Sequence, residues 1–295
     1  MAEVYRTSNT PGVAPSLSVS RLRRLWSRPT LWVGLTILIF LILFCFLGPV
    51  AFPQNPLAVH LTHLNQPPSA RFPLGTDSLG RSELSRMMYG GRGLILVGLA
   101  SSAVAAVLGT LVGLIGAVFG GWVDRMTTWA TDVVLSIPQL LPLMLIMVLL
   151  RPSPLTMVFV VGATTWPLIA RLVRAEALSI RERDYIEAAR SLGASQWRIL
   201  LQHLLPNLWG TILTASSNQV AAAMLVVATV SFLGFGLPPP SPNWAGMVSS
   251  GTNDLMLGSW WLMLFPGLAF ILLQFSVNFI AEAIRSALTI QGGIQ

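Results

Sequence analysis

Three histidines, one cysteine and eleven acids are the side chains that could bind a metal or move a proton in this chain. Their spacing supports neither. His60 and His63 stand as an HLTH pair; two imidazoles at i and i+3 could share a zinc ion, yet nothing nearby completes a set of ligands, and a solvated loop is the preferred reading. Cys45 is alone and inside an apolar run, so no disulfide or thiolate metal site can form within the chain. All 18 basic residues are arginine. Without lysine there is no standard phosphate-cradling loop and no Schiff-base amine, and neither G-x-S-x-G nor H-E-x-x-H occurs. The expectation is a chain with no catalytic residue, no metal site and no cofactor. If it takes part in ATP-driven work, ATP and Mg must be bound by partner subunits.

The polar residues that do stand out form one compact stretch, YIEAARSLGASQWRILLQHLLPN, from Tyr185 to Asn207. Asp184 lies three residues before Glu187, the spacing of a capping box, so a helix is expected to start there. It would run through Ala188, Ala189 and Leu192 and stop at Gly193, a residue suited to the left-handed C-cap position. Ser195 can cap a second short helix through Trp197, Ile199, Leu200 and Leu204, and Pro206 marks the entry to the next apolar segment. The spacing predicts two short helices about a glycine hinge. Taken singly, each of these residues would be an ordinary cap or helix stop.

The elements that must carry this stretch are membrane spans. The chain of 295 residues is 54% hydrophobic and 10% charged, with mean hydropathy +0.70, too apolar for an ordinary soluble domain. Runs of about 20 apolar residues, enough to cross a bilayer, recur along it. They fall near 31–52, 94–119, 129–150, 155–170, 208–233 and 260–284, the fourth extending towards Arg174 with its arginines snorkelling to the interface. The first is too long for the core of a secretory signal and has no small-residue cleavage site after it. Six spans put both ends of the chain on one side. Arg6, Arg21, Arg23, Arg24 and Arg28 in the N-terminal tail, and Arg181, Arg183, Arg190 and Arg198 in the loop before the fifth span, place that side in the cytoplasm. Arg71, Arg81, Arg86 and Arg92 weaken the bias, and the parity of the spans decides it. The expected fold is all-α and polytopic: a cytoplasmic tail over 1–30, a six-helix transmembrane domain over 31–285 with an outer segment 53–91 and a cytoplasmic loop 175–207, and a second tail over 286–295. Within the outer segment, Thr76 and Asp77 before Leu79 read as the start of a short amphipathic helix lying on the membrane face, or as a contact for another protein. The net charge of +7 is a signal of topology, and no basic patch interleaved with aromatics suggests nucleic acid.

Taken together, Glu187-Ala188-Ala189, Gly193, His203, Pro206 and Asn207 resemble the E-A-A loop of ABC-type importer permeases. Leu74-Gly75-Thr76-Asp77, Gly80-Arg81, Leu84-Ser85-Arg86 and Tyr89-Gly90 resemble the signature of the C-type subunit in the dipeptide/oligopeptide/nickel branch. Gly120-Gly121-Trp122-Val123-Asp124 is similar to the turn that joins its second and third spans. Ser231 to Gly236, with Pro239 and Trp244 to Met247, is similar to the stretch before its last span. The resemblance covers roughly residues 30 to 285. One departure is the end of the last span, Ala281 to Thr289, which lacks the family's Asp-Pro and leaves the contacts of the cytoplasmic tail open.

The resemblance implies the ABC type I importer fold in the bacterial inner membrane. It implies a coupling helix formed by Glu187, Ala188, Ala189, Gly193, His203, Pro206 and Asn207 that docks on an ATPase. It also implies a second homologous permease, one or two P-loop ATPase subunits, an extracytoplasmic substrate-binding protein and the surrounding lipid as partners. Peptides are the implied substrate, with nickel chelates, glutathione or antimicrobial peptides as alternatives and the direction of transport open. Within the spans, Gln274, Asn278 and Glu282 share one face of the sixth helix, and Asn218 and Gln219 are polar inside the fifth. The four amides could line the substrate pathway or serve as hydrogen bonds between helices. An ion-coupled carrier is disfavoured because no ionisable residue is convincingly placed at the bilayer midplane, and an intramembrane enzyme because no paired acids or nucleophile motif is present.

Overall fold

The computed structural model describes residues 19–288. The tail before residue 19, with Arg6, and the tail beyond residue 288 lie outside the described residues. Within them the chain is helical, and a single isolated bridge between Thr76 and Ser82 is the extent of β pairing. After α1 (Val19–Trp26), α2 (Pro29–Phe46) is the first membrane-crossing helix. It ends six residues earlier than its apolar run, because Gly48 and Pro49 restart the chain as the short α3 (Gly48–Ala51). The other long helices are α4 (Glu83–Phe119), α7 (Pro154–Arg181), α10 (Leu205–Phe232) and α12 (Trp261–Leu288).

The expected third span is broken. α5 (Gly121–Ser136) and α6 (Leu140–Leu150) meet at 86°, so five helices are long and apolar enough to cross a membrane, or six if the bent pair is one span. Pro138 supplies the cause: it has no N–H for the helical ladder, and it drives Ile137 to φ −96°, ψ 128°, an extended conformation. At the other end of α5, Gly120 and Gly121 carry φ of +64° and +54°, which makes the tight turn from α4 possible without Cβ strain.

α2 and α12 run antiparallel, with Gly34 so close to Ser276 that a Cβ there would lie 2.8 Å from its carbonyl oxygen. The side where α2 begins and α12 ends is called the tail side below, and the opposite one the far side. α4 and α7 share the most extensive interface. Gly109 and Gly113 let α4 meet the carbonyls of Trp166 and Ala170 at 2.7 and 2.6 Å from where a Cβ would stand. This is the small-xxx-small approach used between helices in lipid, where close packing replaces the hydrophobic effect as the driving force. One core cluster, with Leu143, Met147, Met224, Trp244 and Leu273, includes residues of the far side. A second, with Ala117, Ile180, Ile186, Leu204 and Leu208, fills the tail side.

On the far side the chain from Phe52 to Ser82 is irregular. Helix α4 starts at Glu83 with the Ser82 hydroxyl as its cap, and not near Asp77, so the expected separate amphipathic helix is replaced by the first turns of a 37-residue rod about 55 Å long. The reason is local. Gly75 and Gly80 have φ of +81° and +70°, and Gly80 packs directly on the carbonyl of His60, a geometry no helix through residue 80 could keep. Asp77 instead organises the loop: its Oδ1 accepts the N–H groups of Leu79 and Arg81 at 2.9 Å, and its Oδ2 pairs with Arg81 Nε at 2.7 Å and Arg86 Nε at 3.5 Å. Two buried indoles fasten this corner to the bundle, Trp244 Nε1 donating to Met87 O at 2.7 Å and Trp261 Nε1 to Thr76 O at 3.2 Å. His63 bonds the amide of Gln66 and lies against Phe72.

Candidate functional site: the loop between α7 and α10

The chain leaves α7 at Arg181 and turns directly into α8 (Asp184–Ser191). The cap position belongs to Arg183, which makes no side-chain cap bond; the capping box expected between Asp184 and Glu187 is therefore not formed. Arg183 N–H bonds back to Ile180 O, so the helix begins one residue early and both acids fall in its first turn, where they complement the positive end of the helix dipole. The stop at Gly193 is as expected: φ is +82°, Gly193 N–H bonds Arg190 O at 2.9 Å and Ala194 N–H bonds Ala189 O at 3.0 Å, which is a Schellman closure. Ser195 then caps the next helix, α9 (Gln196–Ile199), through Arg198 N–H.

The second helix is not short. α9 passes through a π-helical turn, Leu200–Leu204, straight into α10, giving one apolar rod from Gln196 to Phe232. Pro206 explains the irregular turn. Its ring removes the N–H that would bond the Gln202 carbonyl, and widening the turn to i→i−5 bonding, as in Leu205 N–H to Leu200 O, accommodates the ring without a break. The proline therefore sits one residue inside α10 and does not separate a loop helix from a span.

His203, Pro206 and Asn207 are brought together at this turn. Asn207 Nδ2 donates to His203 O at 2.6 Å and reaches Tyr185 Oη at 3.5 Å, while the Tyr185 and His203 rings stand 6.1 Å apart. Ile186, fully buried, plugs α8 into the cluster of Ile180, Ile199, Leu204 and Leu208. Trp197 meets Phe119, at the tail-side end of α4, edge to face at 5.9 Å. These contacts tie α8 to α7 and α10, and α9 to α4. Glu187, Ala188 and Gly193 stay exposed on the outer surface of the loop, and Ala189 is half-buried.

Three large apolar side chains share that exposure: Leu192 at 89%, Trp197 at 60% and Leu201 at 57%. Sequence reasoning placed Leu192 and Trp197 on the loop helices without separating them from the buried residues. The signal was available, because Leu192 lies six positions after Ile186, some 240° around the helix, and cannot share its buried face.

The amides of the spans have a different fate. Gln274 Nε2 donates to Ala221 O at 3.1 Å and so bonds α12 to α10. Asn278 Nδ2 donates to Gln274 O of its own helix and is exposed. Gln219 is buried with Nε2 unpartnered, and Asn218, beside it in sequence, is exposed. The hydrogen-bonding role is thus visible for Gln274. Glu282 pairs with Arg285 near the tail-side end of α12.

Charged pairs between α5 and α7 escaped sequence reasoning. Arg174 grips Asp124 with two bonds of 2.5 and 2.6 Å, Arg171 meets Asp132 at 2.6 Å, and Arg181 Nη1 caps Ala117 O at 2.6 Å. The arginines expected to snorkel are instead paired with acids about 40 to 50 positions away in sequence, which no local pattern reveals. A bidentate fork of this kind fixes orientation as well as charge.

Comparison with known proteins agrees with this architecture. Residues 105–290 match the family described as the binding-protein-dependent transport system inner membrane component, and residues 16–68 match the N-terminal transmembrane domain of oligopeptide transport permease C. A protein of Brucella suis biovar 1 named as a peptide transport system permease is 34% identical over 278 residues, 94% of this chain and 93% of its own. The dipeptide transport system permease protein DppC of Bacillus subtilis (strain 168) is 33% identical, covering 93% of this chain and 86% of its own. A protein of Escherichia coli K12 named as a D,D-dipeptide transport system permease is 34% identical over 87% of this chain and 86% of its own. Among solved structures, an inward-facing form of the MetNI methionine ABC transporter matches with a TM-score of 0.57 at 19% identity, over 69% of this chain and 96% of that one, which supports the fold. The chain is a multi-pass inner-membrane protein that belongs to the binding-protein-dependent transport permeases, in the C-type branch of the ABC dipeptide/oligopeptide/nickel family.

Proposed function

We propose that this chain is one of two homologous permease subunits of an ATP-driven peptide importer, and that the loop from Asp184 to Asn207 couples it to a separate ATPase. The observation that carries the proposal is the apolar outer face of this loop, Leu192, Trp197 and Leu201, on a loop fixed to three spanning helices through Ile186, Trp197 and the Tyr185–His203–Asn207 contacts. Large exposed apolar side chains grouped with charges mark a protein-docking surface. A stiff attachment turns closure of the docked partner into a rigid-body movement of the spans. The partner would bind ATP and Mg. Glu187, Arg190 and Arg198 would form a charged rim that sets partner choice more than affinity.

The tail side is then cytoplasmic. Arg23, Arg24, Arg28, Arg183, Arg190 and Arg198 are exposed there. On the far side Arg81 and Arg86 share Asp77, and Arg71 and Arg92 lie over Phe72 and Tyr89. Peptide would arrive on the far side from a binding protein and pass between this chain and its homologue, with Asn218, Gln219, Gln274 and Asn278 as the candidate pathway groups. The names of the relatives support a peptide as substrate.

Gentle purification from native membranes, followed by mass spectrometry, tests the assembly. Recovery of a second permease and an ATP-binding subunit is the expected result. Recovery of this chain alone, even after crosslinking through the loop, would overturn the coupling reading and favour a carrier without an ATPase.

A further inference from the structure

On the far side, where the end of α10 turns back into α11 (Trp244–Asp254), there is a cavity of about 240 Å³. That is smaller than the roughly 300–1,000 Å³ of a whole ligand pocket, the size of a subsite for one end of a ligand. Its wall is cationic and donor-rich: Arg81 and Arg86 on one side, Ser231, Asn243, Ser249 and Ser250 on the other. The Arg86 side chain is nine-tenths buried, and its Nη1 is enclosed with no partner among the described residues. Asp77 does not balance the site. Its Oδ1 is occupied by two backbone N–H groups, and its Oδ2 is shared by the Nε atoms of both arginines, so one carboxylate serves two guanidinium groups. Of the neighbouring acids, Glu83 has an unpartnered Oε1 and Asp254 stands near Asp77, and neither forms an ion pair with either arginine. Asn243 accepts Gly246 N–H through Oδ1, which leaves the donor end of its amide available.

A buried guanidinium with an open valence, a second one beside it and surrounding hydroxyl and amide donors is a receptor for an anion with two acceptor oxygens. A carboxylate matches that fork in a way a point charge does not. We propose that this cavity binds the free carboxylate terminus of a peptide at the outer mouth of the pathway, with Arg86 and Arg81 as the specificity-determining residues. The proposal rests on the peptide-permease reading above and adds a chemical requirement to it: a substrate whose terminus is blocked loses this contact.

The test uses the full chain with its co-purified membrane partners in lipid nanodiscs, without the soluble binding protein. The probes are alanyl-alanine and alanyl-alanine amide, titrated by calorimetry. The free acid is expected to bind at least about ten-fold more tightly than the amide, the scale of a hydrogen bond to a charged group. Arg86→Gln should remove that preference, and Ser249→Leu, which fills the cavity from an element that need not refold, should weaken binding of the free acid. Equal affinity for acid and amide in the unaltered protein, or a preference that survives Ser249→Leu, would overturn the subsite. An Arg86→Gln variant that keeps the preference for the free acid but loses binding of an acidic partner protein would assign the arginines to a protein contact and overturn it as well. Labelled dialanine uptake by the complete system separates the two levels: uptake without any acid preference in the nanodiscs sinks the subsite alone, whereas absence of peptide uptake sinks the underlying peptide reading.

Discussion

The far-side corner and the tail-side loop solve opposite problems with similar residues. Around Asp77, arginines, indoles and backbone carbonyls are buried and bonded to one another, and Trp244 is fully enclosed, so close to Gly91 that a Cβ there would lie 2.3 Å from its ring. At the α7–α10 loop, a tryptophan, two leucines and three arginines, Arg183, Arg190 and Arg198, are exposed, and the space around the Cβ position of Gly193 is empty. A corner in which two buried indoles and one shared carboxylate tie the loop to the bundle is a fixed reference point, with Arg86 Nη1 and Glu83 Oε1 left open inside it. A loop with one buried plug and an apolar outer face presents an unfinished interface. The difference fits the proposed coupling, in which a moving partner would attach at the tail side while the far side holds the ends of the helices in register.

That contrast can be broken from either end. The largest effect is expected at the far side: Trp244→Ala deletes a fully buried indole and its bond to Met87 O, at a cost of about 3–5 kcal/mol. Thermal unfolding in detergent should show the loss, with the purified yield falling. Ile186→Ala removes the plug under α8 and should cost about 2–5 kcal/mol. Amide exchange should rise over residues 183–195 and stay unchanged around Thr76, and a rise in both regions would contradict their independence. Gly193→Val is milder for folding, because no atom lies within 4 Å of the new Cβ and the penalty of a β-branched residue at φ +82° is about 1–3 kcal/mol. The chain should insert normally and lose uptake, whereas Gly193→Asn, which tolerates that conformation, should retain most of it.

The smallest effect concerns Asp254, at the end of α11. Burial, and then the charge of Asp77, hold its carboxyl above the usual range. The folded state therefore binds more protons than the unfolded state as pH rises through the window between the ordinary carboxylate value and the raised one. Stability falls across that window and is fully present below it. Asp254→Asn should flatten this part of the stability profile and leave the neutral-pH protein unchanged or slightly more stable.

How much of this could be read from the amino acids depends on the range of the interaction. The long apolar runs behind α4, α7, α10 and α12 and the stop at Gly193 are local signals, and the structure has a helix or a helix end at each. The capping box at Asp184 and Glu187 was a local signal, and the tight exit from α7 moved the helix start one residue earlier, to an Arg183 cap. A helix start was expected at Thr76 and Asp77, and the cap of α4 is Ser82. Contact between Gly80 and the His60 carbonyl, distant in sequence, decided for Ser82. Pro138 was in plain view, yet the apolar run around it masked an 86° break. The Asp124–Arg174 fork and the bond from Gln274 to Ala221 join residues about 50 positions apart, beyond any periodicity.

The central claim is that the exposed loop is a docking surface for an ATPase, and Leu192, its most exposed large apolar side chain, offers the most direct test. Leu192→Cys can be crosslinked in native membranes with a short thiol-to-amine reagent, since the native Cys45 is fully buried and will not compete. Met256→Cys, on the far side and 94% exposed, serves as the control. The account predicts an adduct of Leu192→Cys with an ATP-binding polypeptide and none from Met256→Cys. No adduct at Leu192→Cys, or the same adduct from both positions, would contradict it.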